Sequence, residues 1–155
     1  MDIQPLTQAV QSLNAEDAFR VRLTREHWQA FAQYLSRHEI RGGDLLIKQG
    51  DLDRTLYLIE QGSMQVFSVG GAPGSNRIAI LRAGSIVGEP GMFSDMPRAA
   101  NVEAMTPCVV WALRGPRFEE LVLRLPAIAL EVLRAAGGVM AVRMRNNLAR
   151  MTPVS

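Results

Sequence analysis

Apolar residues recur on different periods in three successive stretches of the chain. In residues 1–36, which contain no glycine, Trp28, Phe31, Ala32 and Leu35 follow the i, i+3, i+4, i+7 spacing of one helix face. Thr24 stands at the expected helix start, although His27 rather than Glu or Gln lies three residues on. An earlier helix is expected over 6–19. From residue 37 to 115 the pattern shifts to short apolar runs at 45–48, 55–60, 64–69, 77–81 and 101–113. Turn signals divide them, among them Arg41-Gly42-Gly43-Asp44, Gln49-Gly50-Asp51, Glu60-Gln61-Gly62-Ser63 and Ala83-Gly84-Ser85. Turns every ~8–12 residues predict the strands of a jelly-roll sandwich or barrel. The stretch 70–76, Gly-Gly-Ala-Pro-Gly-Ser-Asn, reads as a mobile hairpin tip. Residues 116–151 are helical again, with Pro116 in a first turn and Pro126 dividing two helices. The second helix, 127–151, contains Gly137-Gly138, each costing roughly 1 kcal/mol against alanine. That pair marks a weak point or a place of close approach. The expected fold is α+β: an antiparallel β-roll (37–115) between an N-terminal helical segment (1–36) and C-terminal helices (116–151), forming one domain.

Composition excludes more than it suggests. At 155 residues, with 48% hydrophobic and 21% charged residues, the chain can bury one core and is not disordered. Its one cysteine, Cys108, permits no intrachain disulfide, which points to a reducing, cytoplasmic setting. The longest apolar candidate, 121–142, is interrupted by Arg124, Pro126, Glu131 and Arg134, so no transmembrane segment is expected. Asp2 and the lack of a basic start followed by an apolar stretch argue against a signal peptide. A net charge of +2 gives little general attraction to nucleic acid. After Glu131 no acid occurs, while Arg134, Arg143, Arg145 and Arg150 do. This reads either as a surface for an acidic partner, RNA or an anionic membrane, or as a solvated helix end favoured by the helix dipole. The only histidines, His27 and His38, lie in or beside the first helical zone, so neither a metal cluster nor a Ser/His/Asp set is expected. Cys108 lies in an apolar strand and reads as a structural thiol. No phosphate-binding glycine motif of the P-loop or dinucleotide type is present. The expectation is a protein without enzyme activity, metal or cofactor.

One interruption of the β pattern carries chemistry: residues 84–102, Gly84-Ser85-Ile86-Val87-Gly88-Glu89-Pro90-Gly91-Met92-Phe93-Ser94-Asp95-Met96-Pro97-Arg98-Ala99-Ala100-Asn101-Val102. Gly88 allows a positive φ or close backbone approach. Pro90 suits the first turn of a short helix, which must stop before Pro97. A helix start carries partial positive charge, and an arginine with a planar donor fork follows nearby. Small neighbours leave room, and Glu89 can accept hydrogen bonds from hydroxyls. The complementary ligand is an anion beside a hydroxyl-bearing ring. The alternative is an Arg98–Glu89 salt bridge in a plain loop.

This segment resembles the phosphate-binding cassette of cyclic nucleotide-binding domains, the family of the catabolite activator protein, protein kinase A regulatory subunits and cyclic nucleotide-gated channels. The family pattern is roughly F-G-E-x-A-L followed by P-R-A-A-T-V. It meets Val87-Gly88-Glu89-Pro90-Gly91-Met92 and Pro97-Arg98-Ala99-Ala100-Asn101-Val102 here. Gly43-Asp44-Leu45-Leu46-Ile47-Lys48-Gln49-Gly50, Leu56-Tyr57-Leu58-Ile59-Glu60-Gln61-Gly62 and Phe118-Glu119-Glu120-Leu121 are similar to other family segments, extending the likeness over 24–148. The resemblance implies that Glu89 binds the ribose 2′-hydroxyl and Arg98 the cyclic phosphate, with backbone N–H groups around Gly88 to Gly91 and at Ala99 and Ala100 completing the cradle and with Val87 and Pro90 in the same ligand-binding segment. Val87 stands in place of an aromatic residue, Pro90 removes one N–H donor, and Asn101 replaces threonine. The family's Ala-x-Arg-hydrophobic motif matches Ala141-Val142-Arg143-Met144, which makes the last helix a lid. It brings Arg143 to Glu89 or the ligand and Asn147 toward the base. Ala99 stands where a hydroxyl residue often holds guanine, so cAMP is expected over cGMP. Loss of Arg98 is expected to weaken binding strongly with little effect on stability. No helix-turn-helix, kinase or channel segment is visible. The expected role is a stand-alone cytoplasmic sensor acting on a protein effector, with a homodimer through the C-terminal helix as its assembly. Two alternatives remain: a ligand-independent interaction module, favoured by Pro90, and a relative responsive to cyclic di-GMP.

Overall fold

The computed structural model of the chain describes residues 2–70 and 77–151. Helices α1 (Gln4–Ser12) and α2 (Arg25–Ala32) precede strands β1 (Ser36–Ile40), β2 (Leu45–Ile47), β3 (Leu56–Gln61), β4 (Ser63–Phe67), β5 (Arg77–Arg82) and β6 (Ile86–Val87). The short helix α3 (Pro90–Phe93), strands β7 (Asn101–Ala104) and β8 (Cys108–Leu113), and helices α4 (Gly115–Arg124) and α5 (Pro126–Met151) follow. Two four-stranded sheets form the roll, one in the order β1-β8-β3-β6, the other β2-β7-β4-β5, with antiparallel neighbours throughout. The α+β fold with flanking helices is the one the sequence predicts. The hairpin tip expected at 70–76 lies, beyond Gly70, outside the described residues.

The period-two alternation of strand side chains separates two cores. On β3, Leu56 and Leu58 face the helices while Ile59 faces the roll interior; on β8, Trp111 and Leu113 face the helices and Cys108 and Val110 face inward. All six residues of β8 are buried because the strand is central in its sheet and packs on the helical core with one face and on the inner core with the other. The helical core gathers Leu6, Phe31, Leu121, Val132 and Val139; the inner core gathers Ile47, Met64, Leu81 and Val102. Cys108 is a free, buried thiol donating weakly to the Ser63 carbonyl at 3.4 Å.

Three sequence expectations change. The first helix ends at Ser12, not near residue 19. Its buried stripe runs through Leu6 and Val10, and the position continuing it beyond Leu13 is Asp17, so no apolar face supports further turns. The run expected as one strand over 101–113 is two, β7 and β8. Pro107 has no N–H to donate, and Met105 N–H turns to Ser63 O at 2.9 Å. An additional strand, β1, precedes the first expected one. The cap at Thr24 forms as read, its hydroxyl accepting from His27 N–H at 3.1 Å.

Helix α5 passes through Gly137-Gly138 without a break. A Cβ on Gly137 would stand 3.6 Å from the Phe93 ring, so α3 lies against α5 at this place. Gly137 is thus the place of contact, while a Cβ on Gly138 would meet nothing within 4 Å. Gly84 has a different task. Its φ is +93°, and a Cβ there would lie 2.3 Å from Ala9 O, so only glycine lets the β5–β6 turn receive α1.

Candidate functional site

Strand β6 ends at Val87, which is buried in the inner core, and Gly88 turns the chain with φ +87°. A side chain at Gly88 would meet Thr55 O at 2.6 Å and the Arg98 guanidinium at 3.0 Å. Glu89 is the residue before the first turn of α3, and Pro90 occupies that turn, where a missing N–H is no loss. The Gly91 N–H donates to Gly88 O at 3.1 Å. Pro90 has no N–H and that of Gly91 is engaged, so these two residues add no free donor to a cradle. Among the described residues, the N–H groups of Ala99 and Ala100 donate to no protein group. Asn101 accepts from Gln49 N–H at 2.8 Å, tying the start of β7 to the turn after β2.

Arg98 does not pair with Glu89, which removes the plain salt-bridge reading. Its backbone is held on both sides: Arg98 N–H donates to Asp51 O, and Arg98 O accepts from Gly50 N–H, each at 2.8 Å. Its side chain is only 6% exposed. Nη1 donates to Gly88 O at 2.9 Å, Nη2 donates to Thr55 O at 2.6 Å, and Asp53 stands 3.5 Å from Nη2. Nε is buried and has no hydrogen-bond partner. A buried donor on a charged group left unmade is expensive, on the order of 1–3 kcal/mol or more. The fork is therefore fixed from behind by carbonyls and one carboxylate, with a spare donor that an anion oxygen would complete.

Burial pushes the Asp53 carboxyl up, but hydrogen bonds from Thr55 and the Arg98 charge outweigh it and hold the group below its ordinary value. Tyr57, on the inward face of β3, is pushed up by burial and by the Asp53 charge. A cavity of about 690 Å³ adjoins this region, lined by His38, Leu46, Asp53, Thr55, Tyr57 and Arg114 among others. Neither Glu89 nor Arg98 lines it, so the site rests on the chemistry of the cassette and not on this cavity.

Glu89, 6% exposed in its side chain, is met by Arg143 of α5. Arg143 Nη1 donates to both Glu89 oxygens at 3.0 Å, Nη2 donates to Ile86 O at 2.9 Å, and Nε donates to Asp17 at 2.9 Å. Arg143 was expected near Glu89 and lies there; Asn147, one turn on, is exposed. Another face of α5, carrying Glu131 and Arg134, holds chain as well. Glu131 accepts from Arg22 N–H at 2.7 Å, and Arg134 donates to Arg20 O at 3.2 Å and to Glu131. The hydrogen bond from Arg134 lowers the Glu131 carboxyl below its ordinary value, outweighing burial. Sequence reasoning missed Asp53, Thr55 and Asp17. Asp53 was findable as the carboxylate two residues past the Gln49-Gly50-Asp51 turn; Asp17 lay in a stretch read as helix.

Among the described residues no group of three or more His, Cys, Asp or Glu could hold a metal ion, and no helix is long and apolar enough to cross a membrane. A family model for cyclic nucleotide-binding domains matches residues 37–124. The chain belongs to this family of regulatory, non-catalytic ligand-binding domains. It is 31% identical over 101 residues to a cAMP-dependent protein kinase regulatory subunit from Yarrowia lipolytica, covering 65% of this chain and 26% of that one. It is 36% identical over 94 residues to the acetyltransferase Pat of Mycolicibacterium smegmatis, covering 61% of this chain and 28% of that one. The chain thus spans about a quarter of the length of these curated relatives. A crystal structure of a cyclic nucleotide-binding domain from Methylobacillus flagellatus has the same fold. Its TM-score is 0.81 at 22% identity, over 99% of this chain and 85% of that one.

Proposed function

We propose that the domain binds a cyclic mononucleotide, cAMP in preference to cGMP, and transmits occupancy to a protein effector through its C-terminal helices. The observation that carries this reading is the buried, unpartnered Nε of Arg98 beside a cassette containing Glu89. A cyclic phosphate keeps one negative charge at neutral pH, and Arg98 is the cassette's only cation. The phosphate oxygens take the spare Nε donor and the N–H groups of Ala99 and Ala100. Glu89 accepts from the ribose 2′-hydroxyl, since each carboxylate oxygen keeps a lone pair after meeting Arg143. Arg143 and α5 then lie over the occupied site as a lid, with Asn147 toward the base. Pro90 does not argue for a ligand-free module: in α3 it fills a first-turn position and leaves the Arg98 fork and Glu89 untouched.

Several curated relatives are cAMP-dependent kinase regulatory subunits by name, which supports cAMP as the ligand. Ala99 supports it further, since it brings no hydroxyl to hold guanine. The reading includes cytoplasmic location, an effector yet to be identified and a homodimer formed through α5. Calorimetric titration of the full chain with cAMP, cGMP and cyclic di-GMP tests it. The expected order has cAMP tightest. Binding of cGMP at least as tightly as cAMP would overturn the specificity, and no heat with any of the three would overturn the function.

A further inference from the structure

The segment between α1 and α2 is fastened to α5 at three places, and one of these reaches the cassette. Glu131 takes the Arg22 N–H, Arg134 donates to the Arg20 carbonyl, and Asp17 takes the Nε–H of Arg143. The other nitrogens of the Arg143 fork hold both oxygens of Glu89 and the Ile86 carbonyl. One guanidinium therefore joins three stretches of chain: the N-terminal segment, the end of β6 with the start of α3, and α5. Asp17 and Arg143 lie 126 residues apart in sequence, and their side chains are 28% and 21% exposed. Asp17 lies outside the residues 37–124 that the family model matches.

We infer that Asp17 is a positioning residue for the nucleotide site: it fixes the Arg143 fork so that Nη1 points at Glu89, and with it holds α5 closed over the cassette. This rests on the proposed cyclic nucleotide function for its effect on affinity, but not for its effect on α5. The physical reason is orientation. An arginine whose Nε and Nη2 donors are both held has one way to present Nη1, whereas a free arginine side chain must give up rotamer freedom to do the same. The direct effect of the Asp17 charge opposes this, since it repels an anionic ligand. That charge is separated from Glu89 by the guanidinium and is partly solvated, so salt screens it. Orientation prevails, and the N-terminal segment becomes part of the lid.

The test uses the full chain and the variants Asp17→Asn, Asp17→Glu, Arg143→Ala and the double variant Asp17→Asn/Arg143→Ala. With cAMP, Asp17→Asn is expected to weaken binding by about three- to fivefold, the range of a partly exposed ionic contact, chiefly through faster release. Asp17→Glu recovers part of that loss. In the Arg143→Ala background the Asn substitution has no further effect, because it acts only through the guanidinium. Unchanged or tighter binding in Asp17→Asn, or additive losses in the double variant, overturns the inference. Amide hydrogen exchange without ligand separates this from the functional reading. Asp17→Asn should raise exchange over residues 139–147 as Arg143→Ala does, with α1 and α2 unchanged. If the parent binds no cyclic nucleotide, the proposed function falls and the exchange result alone decides the role of Asp17. Equal exchange in parent and variant rejects that role.

Discussion

Removing the Arg98 side chain takes away the proposed ligand contact and a structural one together. Gly88 O and Thr55 O lose their donor in a buried place, and the partly exposed Asp53 loses its ion-pair partner. Arg98→Ala is therefore expected to lower stability by about 2–4 kcal/mol, read as a drop in the denaturant midpoint. An unchanged midpoint would contradict the buried fork. The sequence alone suggests an open pocket and little change in stability; the difference comes from carbonyls that no local pattern announces. Arg98→Lys keeps the charge but not the fork, and should fall between parent and Ala in both stability and affinity. Asp53 gives a pH signature. Its carboxyl is held below the ordinary value of 3.8, so its stabilisation is complete above that value and is lost as pH falls through the lower folded value. Asp53→Asn should thus reduce stability at pH 5–7 and flatten the stability–pH curve below about pH 4. A curve parallel to the parent's would show that Asp53 contributes nothing through its charge. Glu89 and Arg98 were legible because the cassette is contiguous in sequence, and Arg143 because its motif aligns. Asp53 and Asp17 were not, because each acts across a long separation on an arginine already assigned another task.

At the scale of elements, the glycines of α5 and of the β5–β6 turn make opposite predictions. At Gly138 an added Cβ meets nothing within 4 Å, and at Gly137 it meets the Phe93 ring at ordinary contact distance. Gly138→Ala should stabilise the chain by roughly 0.5–1 kcal/mol, the helix propensity difference, visible as a higher melting temperature. A lower melting temperature would mean that the glycine serves a bend in α5. Gly84→Ala should be severe, since a positive φ and contact with the α1 backbone combine. The expected loss is about 2–4 kcal/mol, with exchange protection of α1 falling first. Loss spread evenly over the fold would contradict the local account. The strands and C-terminal helices were readable from turn residues and prolines. The length of α1 was not, because glycine-free composition suggested helix where the apolar stripe had already met Asp17.

For the whole molecule, two cores share one sheet, and the cassette lies where the roll, the N-terminal segment and α5 meet. Family and fold were legible because cassette, turns and helix breakers agree with one another. The coupling between the chain's ends was not, because it is written in single ionic contacts between distant segments. The proposed output follows from that arrangement: a ligand at Arg98 and Glu89 touches the group that holds α5 down. The most direct measurement of this account is calorimetric titration of the full chain with cAMP, beside Arg98→Ala and Arg98→Lys variants shown by circular dichroism to be folded. The account predicts saturable binding to the parent, weaker by on the order of 10²-fold or more in Arg98→Ala, with Arg98→Lys between. A folded Arg98→Ala that binds cAMP as tightly as the parent would contradict it.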